Sequence, residues 1–92
     1  MPVGFLRLEG PFFSAHVGEI LSCVRNEADK AKANHALQRI MSITQAADHA
    51  LITTTDTHLA RGLGETLRHA YKGDLELQYV QQENLVRVTW RR

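Results

Sequence analysis

The stretch from Leu51 to Gly73, LITTTDTHLARGLGETLRHAYKG, constrains the fold more than any other part of the chain. Leu51–Thr55 is β-branched and threonine-rich, which suits a half-buried strand. Asp56 or Thr57 then offers a side-chain oxygen to the free N–H groups of a helix start, a cap worth about 1 kcal/mol. From there Leu59, Leu63, Leu67 and Ala70 recur at the helical period, flanked by Ala60, Thr66 and Tyr71. Arg61, Glu65, Arg68, His69 and Lys72 fall on the opposite side. Gly73 supplies the positive φ that commonly ends a helix. Gly62 and Gly64 each cost roughly 1 kcal/mol against alanine. Gly62 borders the apolar stripe, so close approach of another backbone is expected there. A strand running into an amphipathic helix has one face to bury, and the remaining sequence has to bury it.

The flanking sequence supplies the means. Gly4–Glu9 alternates Phe5, Arg7 and Glu9 against Leu6 and Leu8, the period of a strand. Gly10–Pro11 breaks it, and a helix is expected from near Ser14, with Phe12 and Phe13 packing where the chain enters. Val17, Ile20, Leu21, Val24, Ala28 and Ala31 make its stripe, and the later NEADKAKAN, with only alanines on that side, reads as a solvated end. Leu37–Gln45 and Ala50–Thr55 flank AADH as a hairpin. In the first of these strands simple alternation puts Met41 and Ile43 with Arg39 and leaves Ile40 opposite. After Gly73, Leu75, Leu77 and Tyr79 alternate with Glu76, Gln78 and Val80. QQEN turns the chain, and Val86, Val88 and Trp90 alternate with Leu85, Arg87 and Thr89.

The expected order is β-α-β-β-α-β-β. It describes an α+β two-layer sandwich over residues 1–92, one domain, with two helices on one face of a mainly antiparallel sheet. Ninety-two residues can enclose one core and not two. No apolar run approaches the roughly 20 residues of a membrane span. MPVGFLRLEG has neither the basic start nor the apolar core of a signal peptide. A cytoplasmic location is the expectation.

The chemistry-bearing residues give little sign of catalysis. Cys23 is the only cysteine, which excludes an intrachain disulfide and a multi-cysteine zinc site. Its helical spacing from His16 corresponds to about 10 Å, too far for a nucleophile–base pair, so it reads as a small core-edge hydrophobe. His16, His35, His49, His58 and His69 show no short ligand spacing. His58 and His69 share a helix face but lie about 16 Å apart along it. No metal site, cofactor or small-molecule substrate is expected, and the threonines of Thr53–Thr55 fit strand propensity better than nucleophilic chemistry. Gly62-Leu63-Gly64 lies within a helix and lacks the strand–turn setting of a phosphate loop.

A local basic surface remains. Net charge is only +1, so attraction to nucleic acid cannot be a bulk property of the chain. On the second long helix, Arg61, Arg68, His69 and Lys72, with His58, form an outward face suited to phosphates and interrupted by Glu65. The plainer reading is a solvated face with i,i+4 pairs worth a few tenths of a kcal/mol. A second candidate is the helix-free side of the sheet, where Arg7, Arg39 and Arg87 are expected from three strands, without the exposed aromatic platforms of single-strand binders. Arg91 and Arg92 are expected to add charge at a mobile end.

The runs LEGPFFSAHVGEIL, HALQRIMSI and ITTTDTHLARGLGETLRHAYKGDLELQY resemble the C-terminal half of an uncharacterised bacterial family. Fuller members of that family are similar to the zinc-ribbon adaptor for nuclear export of the large ribosomal subunit. The resemblance covers Phe5 to Arg92. The sequence departs from the pattern in having no ribbon, which was either trimmed away or is lacking in this member, so no zinc function carries over. The element order around TTTDTHLARGLGETLRHAYKG also resembles the eukaryote-type large-subunit ribosomal protein family numbered twenty-two, whose second helix contacts RNA. Arg61, Arg68, His69 and Lys72 match its basic positions, while Gly64 and Gly73 stand where it tends to have further lysines. The resemblance implies a non-enzymatic RNA- or ribosome-associated module. The alternative is a protein-interaction module, such as a homodimer pairing through a sheet edge or the uncovered sheet face.

Overall fold

Strict alternation in Gly4–Glu9, with Leu6 and Leu8 fully buried, makes this segment (β1) the middle of the fold. The computed structural model describes residues 3–34 and 37–92; His35 and Ala36, and so part of the HALQRIMSI run and one of the five histidines, lie outside the described residues. After β1 come α1 (Pro11–Ala15), α2 (Val17–Asn34), β2 (Ile40–Gln45), β3 (His49–Thr54), α3 (Thr57–Tyr71), β4 (Asp74–Val80) and β5 (Leu85–Arg91), with a 3-10 turn at Gln81–Glu83. The strands form one sheet in the order β2-β3-β1-β5-β4. β1 runs antiparallel to β3 and parallel to β5, and the two hairpins β2–β3 and β4–β5 complete a mostly antiparallel sheet. The expected α+β architecture is the observed one.

Inward side chains of β1, β3 and β5 form one core with the helices. Leu6, Leu8, Ala50, Ile52, Val86, Val88 and Trp90 are buried against Ile20, Val24, Leu59, Leu63 and Leu67. At about 1.5–3 kcal/mol for each large side chain, this shared burial holds the layers together. Thr54 is the one buried polar side chain among the described residues. Its hydroxyl lies 2.8 Å from the Asp56 carbonyl and 3.2 Å from that of Gly4, and it donates to them.

Several local expectations are corrected. The first helix begins at Pro11, not near Ser14, because proline is preorganised for the first helical turn. It breaks at His16, whose φ of −132° leaves the helical region, so what was expected as one helix is α1 followed by α2. Phe13 is buried as expected, and Phe12 stacks on His16 with centroids 4.1 Å apart. In β2 the register shifts between Ile40 and Ser42. This bulge at Met41 puts Ile40 and Ile43 on the same, core-facing side, where simple alternation separates them. Leu37–Arg39 is not strand: the Thr55 hydroxyl accepts from the Arg39 N–H at 2.9 Å and donates to the Leu37 carbonyl at 2.7 Å.

In α3 the side chain of Asp56 caps the helix, accepting from the His58 N–H at 3.0 Å. Ala70 is exposed and Tyr71 is the half-buried residue that extends the stripe. The close approach expected at Gly62 occurs at Gly64 instead. A Cβ on Gly64 would lie 2.8 Å from Val88 Cγ1 and 2.9 Å from Leu75 Cδ1, whereas nothing lies within 4 Å of one on Gly62. The helix ends through two successive positive-φ residues, Lys72 at 66° and Gly73 at 91°.

The last residues are tied down rather than mobile. Arg91 pairs with Glu9. The Arg92 guanidinium lies over the Phe12 ring, 4.1 Å from its centroid, and donates to the Tyr71 carbonyl. Backbone bonds join Arg92 to Glu9 and to Phe13.

Candidate nucleic-acid interface

The same periodicity that buries Leu59, Leu63 and Leu67 turns Arg61, Arg68, His69 and Lys72 outward, and all four are exposed. Three of them converge. Arg68, His69 and Lys72 line a shallow surface depression of about 680 Å³, with Glu65 and, from α2, Glu27 on its walls. Arg61 does not line it and lies about 10 Å further up the axis, two turns before Arg68. Arg68 Nη2 donates to Glu65 Oε2 at 3.0 Å, so one cation of the face is partly neutralised. Arg68 and His69 also sit in the last turn, where cations complement the negative end of the helix dipole. The face therefore has a structural use besides any ligand. The Glu27 carboxylate was not foreseeable from α3 alone, because it arrives from a different element.

The second candidate set is not brought together as expected. Arg7 and Arg87 do emerge on the helix-free side, around a depression of about 460 Å³ that also includes Phe5, Leu51, Gln78 and Glu76. Register explains the grouping. Phe5 stands between Thr53 and Arg87, and Arg7 between Leu51 and Thr89. Phe5 is half-buried on this surface, so the floor does contain one aromatic ring. Arg39, by contrast, precedes β2 and lines a separate depression with Arg25 and Lys32 of α2. The bulge at Met41 and the Thr55 clasp keep it out of the strand ladder.

Charge on the open face is largely balanced. Arg7 and Arg91 both bond the Glu9 carboxylate, and these two bonds are what hold its pKa below the ordinary value of 4.5. Among the described residues, Arg87 makes no ion pair there, and Glu76 lies one register step away, opposite Thr89. The Cys23 thiol is half-buried at the core edge, and burial, with Glu27 nearby, pushes its pKa above 9.0. That is the opposite of what a nucleophilic thiol needs. Among the described residues, no three His, Cys, Asp or Glu side chains are grouped to hold a metal ion, and no helix is long and apolar enough to cross a membrane. No protein family matches the chain, and no curated protein or solved structure does either.

Proposed function

We propose that this chain is a non-enzymatic, cytoplasmic RNA-binding module, associated with RNA or the ribosome through the outward face of α3. The observation that carries the reading is the placement of Arg68, His69 and Lys72 around one depression, with Arg61 exposed on the same helix. The resemblance of the chain to ribosome-linked families gives the second support. Phosphates are the natural ligand for such a face, because each contacted cation releases condensed counterions on binding.

The test is fluorescence polarisation with labelled hairpin and single-stranded RNA, at low and near-physiological salt. It compares the parent with an Arg61→Ala, Arg68→Ala, Lys72→Ala triple variant. The parent is expected to bind with a negative salt slope, and the variant to lose about two to three charges' worth of that slope. Equal binding by both proteins would shift the interface to Arg7 and Arg87. Absence of binding at low salt would end the reading.

A further inference from the structure

The two edges of the sheet are built differently. β2 is interrupted by the bulge at Met41, a device that blunts an edge against further pairing. β4 has no such protection. All seven of its residues pair with β5 in unbroken register, and it contains no proline, lysine or arginine. On its core-facing side Leu75 is packed into the core, but Leu77 and Tyr79 remain 46% and 54% exposed. Tyr79 is held in place by a hydrogen bond from its hydroxyl to Asn84 Oδ1 at 2.8 Å. The outer backbone of β4, an edge of the sheet, is thus an open row of donors and acceptors beside two exposed apolar side chains.

We propose that β4 pairs antiparallel with β4 of a second copy of this chain, joining two five-stranded sheets into one. The occupant follows from the strand's own sequence, DLELQYV. Its acids, Asp74 and Glu76, lie in the first half, and Gln78 and Val80 lie in the second. A two-fold axis at Leu77, the central residue, pairs all seven positions. It sets Asp74 opposite Val80 of the other copy and Glu76 opposite Gln78. On the other side of the ribbon Leu75 meets Tyr79, and Leu77 meets itself. On that side every apolar side chain meets an apolar one, and nowhere along the pairing does an acid face an acid directly. Parallel pairing in register would align the two Glu76 carboxylates instead. The pairing uses none of the α3 cations, so the proposal does not rest on the RNA reading.

The experiment is sedimentation equilibrium from about 10 µM to about 1 mM, a range matched to weak edge pairing. The weight-average mass of the parent is expected to rise from 10.4 kDa towards twice that value. Gln78→Glu places a carboxylate opposite Glu76 of the other copy at two symmetric positions and should weaken the dimer about tenfold. Within one chain the new carboxylate sits opposite Arg87, so the fold itself is not threatened. The double variant Glu76→Lys, Gln78→Glu puts opposite charges across the interface and should restore dimerisation in this register only. Leu77→Lys should give a monomer, and Met41→Lys on β2 should change nothing. A mass that stays at one chain throughout would overturn the proposal. So would a dimer that ignores the β4 variants or is lost with Met41→Lys.

Discussion

The indole N–H of Trp90 donates to the carbonyl of Lys72 at 2.7 Å, joining the last strand to the end of α3. Trp90 is fully buried, and Lys72 and Gly73 are the two positive-φ residues that turn the chain from α3 into β4. This hydrogen bond thus ties the core to the point where the candidate face ends and the exposed edge strand begins. Trp90→Phe retains a ring but removes the donor and part of the packing. It is expected to cost about 2 kcal/mol, seen as a fall of about 1–2 M in the urea midpoint.

The two glycines inside α3 should respond with opposite signs. Gly62→Ala adds a methyl where nothing lies within 4 Å and should stabilise by up to about 1 kcal/mol. Gly64→Ala makes the same propensity gain but drives the methyl into Val88 and Leu75. Overpacking costs about 1–3 kcal/mol, so a net loss is expected. Thermal melts of the two variants check both signs, and a gain at Gly64 would show that the helix sits further from β5.

The difference between these glycines marks a limit of sequence reading. Helical period tells which positions of α3 face inward, and Leu59, Leu63 and Leu67 obey it. It does not tell which inward position meets the sheet most closely, because that depends on where the helix axis crosses β4 and β5. Ala70 and Tyr71 exchange roles for a related reason: the aromatic cluster of Tyr71 with Phe12 and Trp90 is assembled from three elements. The β2 bulge is likewise a property of two paired strands, and the placement of Arg39 follows from it. The exposure of Arg61, Arg68, His69 and Lys72 was legible because one helix decides it. The appearance of Arg7 and Arg87 on the helix-free side was legible from strand alternation, but the approach of Glu27 and the separation of Arg39 from that pair were not, since each depends on neighbouring elements.

Acid stability should depend on Glu9. Its carboxylate bonds both Arg7 and Arg91, so its pKa in the folded protein is lowered from 4.5. A group depressed on folding contributes stability that is present above its unfolded pKa. That contribution is lost as pH falls through the folded value. The parent should therefore lose stability on descending below about pH 4.5, and Glu9→Gln should flatten that limb of the curve. Urea midpoints between pH 6 and pH 3 test this. The Arg pairs are partly solvated, so the difference at neutral pH is expected to stay below about 1 kcal/mol.

Glu65 offers the sharpest separation between a binding face and an ordinary charged helix. Its carboxylate holds Arg68 at 3.0 Å and shares the depression with His69 and Lys72. If α3 serves only as a solvated helix, Glu65→Gln removes an i,i+3 pair and costs a few tenths of a kcal/mol, with no effect on RNA. If the face meets phosphates, the same change frees Arg68 and removes a repulsive charge from the site. Affinity should then rise by about three- to tenfold at low salt, and the gain should shrink as salt is added. Polarisation titrations at two salt concentrations distinguish the cases. An unchanged affinity in a protein that does bind RNA would mean that the phosphates lie elsewhere, with the Arg7–Arg87 surface the next to be mutated.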